Sequence, residues 1–186
     1  MSRRTFLITA AGVAVTLAAG CASKSPQEEA AKRREIDSKS EAALTRLYTQ
    51  SPGSRELAQK ARGVLVFPAV AAGGLIVGGE YGEGSLRIAN RTAEYYKIVS
   101  ASIGLTAGAQ SKSVILMFMT QDALDKFRTS NGWTAGVDAS VAMMKQGAEA
   151  GIGTMTAQTP VVAYVSTNSG LMADVSVQGS KISKLE

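Results

Sequence analysis

The chain contains no histidine and only one cysteine, Cys21, among its 186 residues. The lack of histidine excludes Ser-His-Asp and Cys-His catalysis, and it excludes every metal site that uses imidazole ligands. A single thiol cannot form a disulfide within one chain. No acidic cluster has the spacing of a calcium-binding loop. The sequence therefore predicts neither a cofactor nor a bound metal.

The first twenty residues have the pattern of an export signal. Arg3 and Arg4 form a basic start, and residues 6–19 form an apolar stretch that is too short to span a bilayer as a mature helix. The segment SRRTFL at 2–7 resembles a twin-arginine motif. We expect residues 1–20 to be removed, and residues 21–25 to form a short tether.

The lone cysteine lies at the end of this leader. The segment LAAGC at 17–21 resembles the lipobox of bacterial lipoproteins, so Cys21 is predicted to be the acylated first residue of the mature protein. The alternative for such a residue is a small buried hydrophobic side chain. Because Ala22 follows rather than aspartate, the usual sorting rule predicts a lipid-anchored protein in the outer membrane of a bacterial cell envelope.

Loss of the leader removes Arg3 and Arg4 and lowers the net charge from +5 to +3. A mild positive charge is compatible with an anionic membrane surface. It is too weak, in a chain with few aromatic residues, to indicate nucleic-acid binding.

Two helices are predicted at the N-terminal end, over residues 26–62. Ser25 to Glu28 form a capping box, and apolar residues at helical spacing extend the first helix to about Tyr48. Its remaining charges, Arg33 and Arg34 among them, indicate either a solvated outer face or a helix lying along a membrane. The second helix, at about 55–62, carries three basic residues and is expected to end at Gly63 as its C-terminal cap: Arg55, Lys60 and Arg62.

Glycine-rich and apolar runs dominate the rest of the chain. The segment GVLVFPAVAAGGLIVGGEYGEG at 63–84 predicts a buried strand followed by bends at its glycines. It contains GxGxxG letters only in reverse order, with no capped helix after them, so it does not predict a phosphate loop. Further strands are predicted at 95–106, 114–119, 137–144, 161–165, 171–178 and 181–185, with the apolar 114–119 in the centre.

A third helix is inserted between these strands, from Thr120 to an end at Asn131-Gly132, after which Trp133 is expected to pack back on it. No βαβ rhythm is present. The predicted fold is α+β, with a strongly bent and mainly antiparallel β-sheet of about seven strands, N-terminal helices and one inserted helix. The abundance of glycines favours strong curvature and leaves open whether the sheet closes into a barrel.

The chain from about Ala61 to Ile182 resembles the SYLF-domain family. The motifs are ARGVLVFPAV, GGEYGEGSLR, YYKIVSASIGLTAGAQSKS, FMTQDALDKFR, GWTAGVDASVA and NSGLMADVSVQGSKI. The resemblance implies a single non-enzymatic domain over residues 26–186 that binds phospholipid, helped by an N-terminal amphipathic helix and basic residues. Eukaryotic members bind phosphoinositides and regulate actin. The lipoprotein leader argues against actin and phosphoinositides as ligands of this chain.

Three functions are compatible with the sequence. The first is a membrane-anchored lipoprotein with a phospholipid-binding domain and headgroup contacts at Arg55, Lys60, Arg62, Arg33 and Arg34. The second is an envelope scaffold that binds another protein or a second copy of itself. The third is a hydrolase that uses Glu80 with Asp138 or Asp174, which requires two carboxylates with pKa values pushed apart in one cleft. Such carboxylates also form hydrogen bonds to turn backbones, and no enzymatic activity is predicted.

Overall fold

The computed structural model describes residues 25–73, 77–103, 111–144, 159–167, 170–171 and 177–185. These residues form three α-helices and nine β-strands. The helices are α1 (Pro26–Gln50), α2 (Gly53–Lys60) and α3 (Gln121–Thr129). The strands are β1 (Gly63–Gly73), β2 (Val77–Ile88), β3 (Arg91–Ile103), β4 (Ser111–Phe118), β5 (Trp133–Thr134), β6 (Val141–Met143), β7 (Val161–Thr167), β8 (Gly170–Leu171) and β9 (Lys181–Lys184).

All nine strands belong to one sheet, in the order β5-β9-β3-β2-β1-β4-β7-β6, with β8 paired to β7. Every pairing is antiparallel except that of β6 with β7. The predicted α+β fold with a mainly antiparallel sheet is confirmed. The sheet has two strands more than the seven predicted, because the glycine-rich segment and the residues after it form both β1 and β2, and because Trp133 and Thr134 form the short strand β5.

The two ends of the strand order require the sheet to curl. A flat sheet with eight strands in a row would separate β5 from β6 by about 34 Å at ~4.8 Å per strand. Residues 135–140 alone connect the two strands, and the steps from Thr134 to Val141 reach at most about 25 Å. Part of this connection also folds back, since the Gly136 N–H donates to the Ala139 carbonyl. The strong bend that the sequence predicts is confirmed.

A β-bulge in β1 is one source of this curvature. The register against β2 shifts between Val66 and Ala69, and the register against β4 shifts between Phe67 and Val70. Pro68 lies in the middle of this segment, where its missing N–H costs no ladder hydrogen bond. A bulge bends its strand and increases the local twist.

Glycines in β2 allow the backbone of β1 to approach at the bulge. A Cβ atom on Gly84 would lie 2.1 Å from the Val66 carbonyl oxygen, and one on Gly82 would lie 2.8 Å from the Ala69 carbonyl oxygen. No side chain fits at either position. These two glycines therefore lie where β1 bends. Gly78 and Gly79, one of the glycine pairs predicted to lie at bends, instead pair with Ser102 and Ala101 of β3 without a register shift. Of the pair at 73–74, which was also predicted to lie at a bend, Gly74 lies outside the described residues.

Both faces of the central strands are covered. On the concave face, a cluster joins alternate residues of the sheet to α3 and to Trp133, and it includes Leu65, Phe67, Leu116, Phe118, Leu124, Phe127 and Ala163. On the convex face, a second cluster joins the intervening residues to α1 and α2, and it includes Leu44, Leu47, Leu57, Val66, Ile115, Met117 and Tyr164. Strands buried on both faces need apolar residues at every position. This explains the run in β4, whose predicted central place is confirmed.

The capping box of α1 is present, with the Glu28 N–H donating to Ser25 Oγ at 3.3 Å and the Ser25 N–H donating to Glu28 Oε2 at 2.8 Å. The predicted cap at Gly63 is wrong, because α2 ends at Lys60 and Gly63 opens β1. A Cβ there would lie 2.8 Å from Leu124 Cδ1, so this glycine lets α3 approach the sheet. Helix α3 ends at Thr129, two residues before the predicted end at Asn131-Gly132.

Two predicted strands differ from the structure. The segment at 137–144 is a strand only from Val141 to Met143, because residues 136–138 form a turn in which Val137 is 78% exposed. Of the segment at 171–178, residues 172–176 lie outside the described residues, and Gln178 is in a turn. Trp133 packs on α3 as predicted. The centroids of the Trp133 and Phe127 rings are 5.6 Å apart, and the rings meet edge to face.

A charged network ties the C-terminal part of the chain to β3. Glu94 accepts hydrogen bonds from Arg128 of α3 at 3.1 and 3.2 Å, from the Tyr96 hydroxyl at 2.6 Å, and from Lys184 of β9 at 3.2 Å. The Arg128 hydrogen bond outweighs the effect of burial and lowers the pKa of Glu94 to about 2. Glu94 is therefore ionised in the folded protein well below its ordinary pKa of 4.5.

We expect Gly84→Ala to lower the free energy of unfolding by about 3 kcal/mol, because the new methyl group overlaps the β1 backbone at the bulge. Gly79→Ala is the matched control, since its Cβ would meet nothing nearer than the Ser100 carbonyl oxygen at 3.9 Å. Urea unfolding of the two variants measures the difference. Equal losses in both would show that the close approach at Gly84 does not constrain the sheet.

The Glu94 network predicts a defined pH dependence of stability. A carboxyl whose pKa is lowered by folding stabilises the protein above its unfolded-state pKa, near 4.5, and this contribution is lost as the pH falls toward 2. Glu94→Gln should therefore be less stable than the unmodified protein at pH 7 and should lose less on acidification. Thermal unfolding between pH 7 and pH 2 tests this. Glu35→Gln, at an exposed carboxylate paired with Lys39, should change the profile little.

Candidate functional site

Helix α1 lies along strand β2 on the convex face of the sheet. Lys32 Nζ lies 2.5 Å from Glu83 Oε1, and Arg87 forms an ion pair with Glu41. The nine steps from Lys32 to Glu41 rise ~13.5 Å in a helix, and the four steps from Glu83 to Arg87 rise ~13.6 Å in a strand. The two elements therefore run in the same direction, and α1 starts near the end of the sheet where β2 starts.

Polar contacts fix α1 on the sheet in addition to its apolar stripe. Asp37 accepts hydrogen bonds from Thr92 Oγ1 and from the Tyr95 hydroxyl, each at 2.8 Å. Ser85 Oγ donates to Ser40 Oγ at 3.1 Å, and both residues are buried. These contacts set the helix rotation, so they decide which side chains border the grooves on either side of it.

A groove lies beneath the first half of α1 and has a cavity volume of about 240 Å³. Two tyrosines and three cations dominate its lining. The Arg33 guanidinium carbon lies 5.4 Å from the centroid of the Tyr95 ring, within the range of a cation–π contact. The lining residues are Glu29, Lys32, Arg33, Ile36, Tyr81, Glu83, Tyr95, Lys97 and Leu185.

Both tyrosines stay protonated at neutral pH. Burial and a hydrogen bond to Glu83 raise the pKa of Tyr81 to about 12, and its hydroxyl lies 2.7 Å from Glu83 Oε1. Burial and the hydrogen bond to Asp37 raise the pKa of Tyr95 to about 12. The charge of the groove at neutral pH is therefore set by its lysines, its arginine and its carboxylates.

An exposed apolar pair adjoins this groove. Tyr81 and Val99 are partners across β2 and β3, and they are 49% and 46% exposed. Lys97, two residues before Val99, lies on the same face of β3. Together with Arg33 and Tyr95 these residues form what we call the N-terminal surface, which combines positive charge with aromatic and aliphatic side chains.

The structure separates the basic residues that the sequence predicts as headgroup contacts. Arg33 belongs to the N-terminal surface, whereas Arg34 is exposed on the outer side of α1. The Arg55 guanidinium carbon lies 4.7 Å from the centroid of the Tyr48 ring, near the other end of α1. Tyr48 is fifteen residues after Arg33, which places them about 22 Å apart along the helix axis. Lys60, the last residue of α2, and Arg62, two residues further on, are both exposed. Cys21 lies outside the described residues.

The outer face of α1 carries no large apolar side chain. Its exposed positions include Gln27, Ala31, Arg34, Ser38, Thr45 and Thr49, whereas the apolar residues Ile36, Leu44 and Leu47 pack on the sheet. A helix that lies in a membrane interface needs an apolar face for the lipid. The solvated-face alternative is therefore the better interpretation of α1. In the described part of the chain, no helix has the length and apolarity needed to cross a membrane.

The carboxylates proposed for a hydrolase are held in separate places. Glu80 accepts hydrogen bonds from Lys112 and Ser100, at 2.7 and 2.8 Å. Asp138 accepts one from the Thr134 N–H at 2.5 Å, which is the turn-stabilising role that the sequence offered as the alternative. Strands β9 and β3 lie between β5, beside Asp138, and β2, which carries Glu80. Asp174 lies outside the described residues, and the described carboxylates therefore do not share a cleft.

The surface positions of Tyr81, Tyr95, Lys97 and Val99 were not predicted from the sequence. A signal was present, because Tyr95, Lys97 and Val99 alternate with Tyr96 and Ile98, which are buried on the concave face. Alternation alone does not show which face stays open. That depends on where α1 lies, and the contacts of Asp37 and Lys32 with the sheet decide it.

Residues 99–186 match the model of a protein family described as "Ysc84: Las17-binding protein actin regulator". This is the SYLF domain, so the resemblance seen in the motifs is confirmed for this part of the chain. The match starts at Val99 in β3 and includes α3 and strands β4 to β9. Helices α1 and α2 and strands β1 and β2 precede it. A comparison with curated proteins gave no match to the chain.

Proposed function

Residues 99–186 belong to the Ysc84, or SYLF, family, and from this premise we propose that the protein is a non-enzymatic, membrane-anchored lipoprotein of a bacterial cell envelope that binds phospholipid. The acyl anchor is at Cys21, and the outer membrane is the proposed location. The observation that carries the proposal is the short distance along the chain between that cysteine and the start of α1, the end of the helix beside which the N-terminal surface lies.

The tether determines which end of the domain meets the bilayer. Three residues lie between Cys21 and Ser25, the N-cap of α1, and the four steps along the chain reach at most about 14 Å. Acyl chains on Cys21 would hold the first turn of α1 close to the membrane. The N-terminal surface lies at this end of α1, since it includes Arg33 and borders the groove beneath the first half of the helix.

The chemistry of the N-terminal surface suits a lipid headgroup layer. Arg33 and Lys97 each contribute about 1 kcal/mol near an anionic surface, and this attraction decays over a Debye length of about 10 Å. Tyr81 and Val99 add partly exposed aromatic and aliphatic area, which is favourable at the boundary between headgroups and acyl chains. The anchor keeps these weak contacts at a high local concentration.

The basic residues in and just after α2, which the sequence also predicts as headgroup contacts, are the alternative to the N-terminal surface. Helix α1 is about 38 Å long, so Arg55, Lys60 and Arg62 lie far from the tether. They reach the same bilayer only if α1 lies along it, and the polar outer face of α1 does not favour that pose. The proposal therefore assigns headgroup contact to the N-terminal surface first.

A protein partner is the alternative function. The matched family is described as Las17-binding and as an actin regulator. An envelope scaffold of this family would need no headgroup contact, and its anchor would serve only to hold it at the membrane. The exposed tyrosine and valine beside basic residues favour the lipid-binding function, because this combination fits an anionic bilayer.

Vesicle binding by the chain from Ala22 onward tests headgroup contact without the anchor. We expect salt-sensitive sedimentation with vesicles of phosphatidylglycerol and phosphatidylcholine. Arg33→Glu with Lys97→Glu should weaken it severalfold, because two favourable charges become repulsive. The matched pair Arg55→Glu with Lys60→Glu should change it little. No binding by the unmodified form would contradict headgroup contact and favour the protein-partner function.

A change at the predicted anchor tests membrane attachment in cells. Cys21→Ser removes the only thiol that can be acylated. We expect this variant to lose metabolic labelling by fatty acid and to leave the outer-membrane fraction. Labelling and fractionation identical to those of the unmodified protein would refute the assignment of Cys21.

A further inference from the structure

A second groove lies on the opposite flank of α1, between the helix and strands β1, β4 and β7, and we call it the basic groove. Its cavity volume is about 240 Å³. Three cations and four hydroxyl groups line it, and no carboxylate is found among the described lining residues. These are Lys39, Ala42, Ala43 and Arg46 of α1, Pro68 of β1, Ser111, Lys112 and Ser113 of β4, and Ser166 and Thr167 of β7.

Small side chains keep the basic groove open. Ala42 and Ala43 face it from the helix, where longer residues would fill it. Pro68 lies at the bulge of β1, which carries the strand away from regular pairing with β4. The floor is rigid, because the hydroxyl oxygens of Ser113 and Ser166 lie 2.8 Å apart and both residues are buried.

The three cations differ in how firmly they are held. Lys112 Nζ lies 2.7 Å from Glu80 Oε1, and these side chains are only 14% and 17% exposed, so Lys112 is fixed in place. Burial raises the pKa of Glu80, but its hydrogen bonds with Lys112 and Ser100 outweigh this and leave the pKa lowered. The carboxylate therefore stays ionised beside Lys112.

The cations from α1 are free to meet a ligand. Lys39 is paired with Glu35 at 2.5 Å, but both side chains are more than half exposed, so exchanging this partner costs little. Arg46, two helical turns further on the same side of α1, has no ion-pair or hydrogen-bond partner among the described residues. An arginine facing hydroxyl groups and two lysines has the donors for a tetrahedral anion.

We propose that the basic groove binds a phosphate-type anion, with Arg46 as the principal contact, Lys39 and Lys112 as flanking charges, and Ser111 and Thr167 at the groove wall. The cavity is smaller than the roughly 300–1,000 Å³ of pockets for drug-sized ligands, so it suits a phosphate group rather than a whole lipid. The anion comes either from a phospholipid headgroup or from free phosphate. In the first case the site rests on the proposed phospholipid binding and requires α1 to lie along the bilayer, because Arg46 is about 30 Å along the helix from Pro26.

The chain from Ala22 onward is suitable for the test, because it retains every residue of both apolar clusters. Inorganic phosphate is titrated into isotope-labelled protein and amide NMR signals are followed. We expect saturable shifts at Ser111, Lys112 and Thr167. Arg46→Gln should weaken the affinity about tenfold, as expected for the loss of a charge-assisted contact. Lys39→Gln should weaken it less, and Arg91→Gln, an exposed arginine at the start of β3, should leave it unchanged.

Vesicles distinguish the two sources of the anion. If the headgroup is the source, Arg46→Gln also weakens sedimentation with phosphatidylglycerol vesicles, and phosphate competes with those vesicles. If free phosphate is the source, phosphate binds to the protein and the Arg46→Gln variant sediments with vesicles as the unmodified protein does. Either result supports the site, and phosphate binding without any vesicle binding would count against the proposed function alone. Absent groove shifts, or equal affinity in the Arg46→Gln and Arg91→Gln variants, would overturn the site.

Discussion

The close approach of β1 and β2 at the bulge of β1 is the constraint on which the architecture depends. The backbone of β1 leaves regular pairing between Val66 and Val70, and it can do so because Gly82 and Gly84 present no side chain to it. The resulting curvature brings β5 and β6, the ends of the strand order, within reach of the short segment 135–140. It also creates a concave face that α3 and Trp133 fill.

The way the two faces of the sheet are covered determines which surfaces stay open to a ligand. The concave face is occupied by the larger apolar cluster, so the convex face holds the surfaces available to ligands. Helix α1 divides that face, and its ion pairs with Glu83 and Arg87 align it along β2. One flank becomes the N-terminal surface with its exposed Tyr81 and Val99, and the other becomes the basic groove around Arg46. Both follow from one helix placement, although they offer different chemistry.

Local signals in the sequence were sufficient for the elements and for the fold class. The capping box at Ser25 and the apolar run in β4 predicted a helix and a central strand, because each is specified within a few residues. Gly63 was misassigned since a glycine after a helix resembles a cap, whereas here it makes room for Leu124 of α3. Val137 was placed in a strand by its apolar neighbours, although residues 135–139 close a turn.

The candidate site was less predictable because it is assembled from elements that are distant in sequence. The basic residues at the N-terminal end of the domain are close in the chain, and all five were predicted as headgroup contacts. Helix α1 instead separates them, because Arg33 lies in its first half and Arg55 contacts Tyr48 near its other end. Tyr81, Lys97 and Arg46 gained their roles only from the position of α1 on the sheet, which depends on strand order and not on any local motif.

The central claim is that the domain meets the membrane with the N-terminal end of α1 and not with α2. The chain from Ala22 onward has no thiol, so a single cysteine carrying an environment-sensitive fluorophore can replace either Val99 or Gln59, an exposed residue of α2. On vesicles that contain lipid-borne quenchers, this orientation predicts a blue shift and quenching for the probe at position 99 and neither for the probe at position 59. Quenching at position 59 without quenching at position 99 would contradict it.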